Sequence, residues 1–119
     1  MIVHSEIMMF FLLLIAHCLT DFPLQGDFLA VAKNKYLRTP GVPWWIAMAA
    51  HCLISAGGVY LVTSSLSLGL AEFGLHWWTD QSKNVGAFGA GERAFTIDQA
   101  LHVVSKVAWV LIFVTCHPA

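Results

Sequence analysis

The sequence contains very few charged residues. Aspartate, glutamate, lysine and arginine make up 11% of the 119 residues, whereas they account for about a quarter of a typical soluble domain. Hydrophobic residues reach 58%, and the mean hydropathy is +0.71. This shortage of charge argues against an ordinary soluble domain and predicts an all-α integral membrane protein, with the lipid bilayer as its main partner.

Excess positive charge and cysteine are also lacking. The net charge is −1, so the chain offers no basic surface for nucleic acid, and we expect no nucleic-acid partner. The three cysteines, Cys18, Cys52 and Cys116, each lie within an apolar run. We therefore expect buried thiols and no disulfide framework.

Four apolar stretches dominate the chain. They cover about residues 2–20, 44–63, 66–82 and 97–116. A bilayer core of about 30 Å requires about 20 helical residues, which the second and fourth stretches provide. The first is long enough if His4 and Glu6 lie at its outer edge, and the third, interrupted by Glu72 and His76, is expected to face partner helices. Residues 1–119 are thus predicted to form a single transmembrane domain, an antiparallel four-helix bundle.

Polar segments connect these stretches. Pro23 is expected in the first turn of a short interfacial helix that follows the first span and ends near Lys35. Residues 39–43 predict a turn, residues 63–65 a tight link, and residues 83–96 a flexible polar loop.

Basic residues are concentrated in two of the connecting segments. The first and third loops contain Lys33, Lys35, Arg38, Lys83 and Arg93. The second loop and the segment after the last span contain no lysine or arginine. By the positive-inside rule, the first and third loops are predicted to be cytoplasmic and both termini to lie on the opposite side.

Histidine and aspartate recur four residues apart near the ends of the apolar stretches. The pairs are His17 with Asp21, His76 with Asp80, and Asp98 with His102. Each pair shares one face of a helix, and His51 adds a histidine within the second stretch. All lie within one or two turns of the predicted cytoplasmic ends, so an antiparallel bundle would bring these seven side chains together.

Such a cluster is typical of a metal site. Ionisable groups within a membrane are costly and usually functional, and imidazole combined with carboxylate suits Zn, Mn, Fe or Ni. We expect Zn or Mn, as one or two ions, because seven candidate ligands exceed the three or four that one zinc requires. Any surplus residues would orient the ligands or carry protons.

Further polar residues lie beside the pairs. Gln25, Lys83 and Gln99 flank the aspartates, and we interpret them as candidates for substrate binding. Glu72 and Lys106 lie deeper in the third and fourth stretches. We expect these two to form a buried ion pair between helices.

The motifs HCLTDFPLQ, HWWTDQSK and DQALH, with His51 between the first two, resemble a known family. It is a family of small bacterial and phage inner-membrane proteins catalogued as domain of unknown function 3307 (DUF3307). The resemblance covers nearly the whole chain and implies a multi-pass protein of the cell inner membrane, without an established activity; Glu72 departs from the family pattern. A looser similarity to membrane-bound metal-dependent hydrolases implies hydrolysis.

Three hypotheses follow. The first is a metal centre near the cytoplasmic face that activates water against an ester or phosphoester in a lipid-linked substrate. Its metal ligands would be His17, Asp21, His76, Asp80, Asp98 and His102, with His51 as a further ligand or a proton carrier. The second is a metal or proton transporter, which would need polar groups that continue towards the far face. The third is a non-enzymatic phage or bacterial accessory membrane protein whose polar cluster fixes the helix register.

Overall fold

The computed structural model describes residues 2–118, with side chains from Ser5 onwards, so the predicted place of the His4 side chain lies outside the described residues. Its five helices are α1 (Ile2–Asp21), α2 (Gly26–Ala32), α3 (Trp44–Thr63), α4 (Leu66–Asn84) and α5 (Gly91–Cys116). Over residues 2–118 the chain contains no β-strand. The prediction of an all-α fold is confirmed.

The four long helices pack in a ring. Helix α1 contacts α3 and α5, and α4 contacts the same two helices, while the short α2 lies against α3. Neighbouring helices run antiparallel: on α3 and α4, His51 meets His76 whereas Ser55, farther along α3, meets the earlier Glu72. One end of the ring therefore collects the end of α1, the start of α3, the end of α4 and the start of α5.

The interior is polar at that end and apolar at the other. The apolar core comprises Leu13, Val59, Leu68, Trp109 and Val110. Outward-facing side chains on the long helices are large and apolar, such as Leu53, Leu70 and Leu111, and Leu61 is 80% exposed. A soluble protein rarely combines a charged interior with such an apolar exterior. The arrangement suits a bundle whose outer surface contacts lipid.

Within residues 2–118, two helices are long and apolar enough to cross a membrane. These are α3 and α5, and the bent pair formed by α1 from Ser5 and α2 is a third candidate if it counts as one span. Helix α4 is long enough but too polar to be counted with them, because its sequence includes Glu72, Asp80 and Lys83.

The connection between α1 and α2 differs from the prediction. Helix α1 continues to Asp21, and Pro23 lies in the turn that follows, so the expectation of Pro23 in the first turn of α2 is wrong. Helix α2 begins at Gly26 and ends at Ala32, before Lys35. The helix begins at Gly26 and not at Pro23 because Gly26 has a left-handed backbone conformation, with φ +58°. A glycine adopts this conformation at little cost. The two helices meet at 78°.

The loop between α4 and α5 is shorter than predicted. Helix α4 extends to Asn84 and α5 begins at Gly91, which leaves residues 85–90 as the connection in place of residues 83–96. The polar residues at the start of α5 did not prevent helix formation. Glu92 lies in the first turn of this helix, where a negative charge stabilises the helix N-terminus.

The other two connections are confirmed. Within residues 39–43, the Val42 N–H donates to the Thr39 carbonyl at 3.0 Å. Gly41 supplies the positive φ of 77° that this turn requires. In the link between α3 and α4, the Ser65 hydroxyl accepts from the Leu68 N–H at 3.2 Å and so caps α4.

All three cysteines are free, as expected, but they are not all buried. Cys52 is buried, whereas Cys18 and Cys116 are exposed. The expectation of burial was wrong for these two because their apolar runs place them on outward faces of α1 and α5.

The contact between α3 and α4 gives a first prediction. A Cβ at Gly69 would lie 3.1 Å from the Ala56 carbonyl oxygen and 3.4 Å from Tyr60 Cβ, whereas a Cβ at Gly74 would meet nothing within 4 Å. Gly69→Leu should destabilise the protein by about 1–3 kcal/mol through overpacking. Gly74→Leu, the matched control, should not destabilise it, because leucine is the better helix former.

The melting temperatures of both variants are measured in detergent by circular dichroism. Equal melting temperatures for the two would contradict the close approach of α3 and α4.

Candidate metal centre

The structure brings the seven predicted ligand residues together at one end of the bundle. Helix α1 supplies His17 and Asp21, α3 supplies His51, α4 supplies His76 and Asp80, and α5 supplies Asp98 and His102. All seven side chains are buried, with Asp21 the most exposed at 9%. Each long helix therefore contributes to the cluster, as the spacing of the pairs predicts.

Four ligand atoms form the first group. The Nε2 atoms of His51 and His76 are 3.0 Å apart. His51 Nε2 lies 3.4 Å from Asp21 Oδ1 and 3.3 Å from Asp80 Oδ2. His76 Nε2 lies 3.5 Å and 3.7 Å from the same two oxygens. In a tetrahedral site with bonds of about 2.0–2.1 Å, neighbouring ligand atoms are about 3.3–3.4 Å apart. These five separations are close to that value, and Asp21, His51 and His76 form one of the groups that could hold an ion among the described residues.

A second group surrounds His102. Its Nε2 lies 3.1 Å from Asp80 Oδ1, 3.4 Å from Asp98 Oδ1 and 3.8 Å from Asp21 Oδ2. The ring of His102 also stacks on that of His76, with centroids 4.2 Å apart. The oxygens of Asp21 and Asp80 that face His102 are the ones that the first group does not use.

The His76 ring is held from behind by Glu72. Its Nδ1 lies 3.2 Å from Glu72 Oε1 and 3.2 Å from Ser55 Oγ, while Ser55 donates to Glu72 Oε1 at 2.7 Å. Metal-binding histidines commonly pair their second ring nitrogen with a carboxylate in this way. The arrangement directs His76 Nε2 towards the first group. Sequence reasoning missed this role of Glu72, although its position four residues before His76 was a usable signal.

The predicted ion pair between Glu72 and Lys106 is confirmed. Lys106 Nζ donates to Glu72 Oε1 at 2.7 Å, and both side chains are 1% exposed. Trp109 Nε1 donates to Glu72 Oε2 at 2.6 Å. Both oxygens of Glu72 thus have partners. The Glu72–Lys106 pair lies at the boundary between the polar and the apolar halves of the interior.

His17 lies outside the groups of residues that could hold an ion among the described residues. Its Nε2 is 2.9 Å from Gln99 Oε1 and 3.7 Å from Asp21 Oδ2. Gln99 donates its Nε2 to Asp21 Oδ2 at 2.9 Å and to Asp98 Oδ2 at 3.3 Å. Gln99 therefore connects His17 to two of the carboxylates, and His17 is placed as a neighbour of the candidate ligands.

Two lysines contact the carboxylates directly. Lys33 donates to Asp80 Oδ2 and is 4% exposed, and Lys83 donates to Asp98 Oδ2 at 3.2 Å. Lys33 was expected only to set the topology, because nothing in the sequence shows that α2 folds back to bury it. Gln25, in contrast, donates to the Asp21 backbone carbonyl at 3.2 Å, and among the described residues it makes no hydrogen bond to a carboxylate of the cluster.

Two carboxylate oxygens in the cluster lack a hydrogen bond although they are buried. These are Asp21 Oδ1 and Asp98 Oδ1. Buried polar atoms normally have partners, and leaving them without one is costly. Three buried carboxylates, those of Asp21, Asp80 and Asp98, also outnumber the two lysines that contact the cluster. The donor set and its electrostatics therefore fit a cation.

One family model matches most of the chain. The family described as "Protein of unknown function (DUF3307)" matches residues 9–118, a range that includes all seven clustered residues. No curated protein and no solved structure matches the chain.

The buried ion pair gives a second prediction. Lys106→Met would leave the Glu72 carboxylate buried without its charge partner, and we expect a loss of about 3–5 kcal/mol in the free energy of unfolding. The double variant Glu72→Gln with Lys106→Met should recover most of that loss. Equilibrium unfolding in mixed detergent measures both, and an unchanged single variant would contradict the importance of the pair.

Proposed function

The chain belongs to the DUF3307 family, and because that family's description gives no activity, we propose a function from the geometry of its own site. The protein is a membrane-bound hydrolase that depends on a divalent metal and cleaves a phosphoester, or another ester, in a lipid-linked substrate. The observation that carries this proposal is that two imidazole nitrogens, 3.0 Å apart, each lie within 3.3–3.7 Å of the same two carboxylate oxygens.

In this proposal the four long helices form a transmembrane bundle, and α4 crosses the bilayer together with α1, α3 and α5. Of its ionisable residues, Glu72, His76 and Asp80 are buried and Lys83 lies in the last turn, while Leu66 and Leu70 are each 65% exposed. Such a helix has low overall hydropathy but presents an apolar face to lipid. With the positive-inside rule, the site lies near the cytoplasmic face of the inner membrane.

Asp21, His51, His76 and Asp80 would hold the metal. A site of two imidazoles and two carboxylates suits zinc or manganese. When bound, the ion would supply Lewis-acid chemistry and activate water for attack on an ester. Glu72 and Ser55 fix the orientation of the His76 ring, and the apolar exterior keeps bulk water away from the helix faces.

The charges of the cluster favour an anionic substrate. One divalent ion together with Lys33 and Lys83 would exceed the three aspartates by one positive charge. The Lys83 side chain is 30% exposed, so its ammonium lies where a substrate phosphate would enter. We therefore place a phosphoester ahead of a neutral ester.

An apolar groove favours a substrate with a hydrocarbon chain. It lies between α1 and α3 and is lined by residues that include Leu12, Ile15, Leu19 and Leu61. At one end it reaches Thr20 and Leu24, which flank Asp21 in the sequence. A lipid chain in this groove would bring its head group towards the cluster.

Transport is the second candidate because polar contacts continue beyond the cluster. From His76 they pass through Glu72 to Lys106 and Trp109. There they meet the apolar core that includes Leu13. A path for protons or metal ions would have to continue through that core, and for this reason we prefer hydrolysis.

Metal binding gives a third prediction. Protein purified in detergent without chelator should carry a divalent ion, and His51→Ala should lose most of it because one of the four converging atoms is removed. His117→Ala is the matched control, since His117 is exposed and contacts Phe113 at the opposite end of the bundle. Inductively coupled plasma mass spectrometry gives the metal content per chain.

The same samples test the reaction. Phosphate or head-group release from prenyl phosphates and phospholipids should require the metal and should fall at least about 100-fold in His51→Ala. A wild-type protein without stoichiometric metal would refute the proposal. Metal binding without hydrolysis, but with metal or proton flux in proteoliposomes, would favour the transporter instead.

A further inference from the structure

We propose that the cluster binds two divalent cations, with the carboxylates of Asp21 and Asp80 bridging them. This inference rests on the proposed function for the first cation, which His51 and His76 would bind. The second cation would be bound by His102 and Asp98. The two sites together use six of the seven clustered residues.

The bridging role follows from how the two carboxylates divide their oxygens. Asp21 Oδ1 and Asp80 Oδ2 lie within 3.3–3.7 Å of the Nε2 atoms of His51 and His76. Asp21 Oδ2 and Asp80 Oδ1 lie 3.8 Å and 3.1 Å from His102 Nε2. Each carboxylate therefore offers one oxygen to either side, as a carboxylate that bridges two metal ions does.

The second site has an unpartnered ligand of its own. Asp98 is 1% exposed, and its Oδ1 makes no hydrogen bond although it lies 3.4 Å from His102 Nε2. Its other oxygen accepts from Lys83 at 3.2 Å and from Gln99 at 3.3 Å. These two donors hold the carboxylate with Oδ1 directed at the site, where a cation would satisfy it.

The two sites differ in ligand chemistry. The first offers two imidazoles and two carboxylate oxygens, and the second offers one imidazole and three carboxylate oxygens. Oxygen-rich sites favour harder cations such as Mn²⁺ or Mg²⁺, whereas additional imidazole favours Zn²⁺. The second site should consequently bind more weakly, and the proximity of the first cation weakens it further.

Two cations also define the substrate more closely. Together with Lys33 and Lys83 they would leave a clear excess of positive charge over the three aspartates in a buried site. Lys33 contacts Asp80 Oδ2, an oxygen assigned to the first site, so its ammonium becomes available to another anion when a metal takes that oxygen. A phosphate with at least two free oxygens is the ligand that this arrangement would recognise.

Metal stoichiometry tests the inference without an activity assay. The chelator-stripped full chain in detergent is dialysed against Mn²⁺, and bound Mn is counted by mass spectrometry alongside electron paramagnetic resonance. We expect two Mn²⁺ per wild-type or His117→Ala chain, with a spectrum broadened by coupling between the ions. Asp98→Asn and His102→Gln should each retain one ion with an uncoupled spectrum, and Asp80→Asn should lose both.

The outcomes separate the two proposals. One uncoupled Mn²⁺ per wild-type chain would overturn the second site and leave the proposed function standing, whereas no bound ion would overturn both. Two ions in both Asp98→Asn and His102→Gln would overturn the ligand assignment. Thermal unfolding of the metal-free variants establishes whether they fold. If neither Asp98→Asn nor His102→Gln folds, the number of Mn²⁺ ions bound to the wild type and their spectrum decide whether the second site exists.

Discussion

The structure depends on one constraint: buried carboxylates inside an apolar bundle must be neutralised. Asp80 is 1% exposed and contacts Lys33, His51 and His102. An ionised carboxylate in such surroundings is tolerated only when cations and hydrogen-bond donors surround it. Because these partners come from the C-cap of α2 and from α3 and α5, the neutralisation of one side chain fixes how three helices are arranged around α4.

The polar contacts also set the register of the bundle. In lipid, burying apolar side chains provides little drive for helix association, so small residues and interhelical hydrogen bonds take over. Both are present between α3 and α4, where Gly69 lies close to the Ala56 carbonyl and Ser55 donates to Glu72. If α4 slipped by one helical turn along α3, both of these contacts would be lost at once. A structural role and a metal-binding role therefore demand the same side chains, and one does not exclude the other.

Much of the fold and of the site could be predicted from the sequence, because both depend on local spacing. The apolar stretches locate four helices, and the spacing of four between histidine and aspartate places each pair on one face. What could not be predicted depends on contacts between distant segments. Lys33 reaches Asp80 only because the turn at Gly26 directs α2 back against α3. Likewise, Gln99 connects His17 to Asp21 across 82 and 78 residues of sequence.

The distribution of polarity along the bundle axis supports the proposed chemistry at one end of the bundle. The His/Asp cluster lies at one end, the Glu72–Lys106 pair lies below it, and the apolar core with Leu13 fills the other half. Lys106 pairs with one oxygen of Glu72 and Trp109 donates to the other, so the Lys106 ammonium is kept from the aspartates nearer the end of the bundle. Consequently the cluster keeps its excess of negative charge, and it can attract divalent cations from the end of the bundle at which Lys83 is exposed.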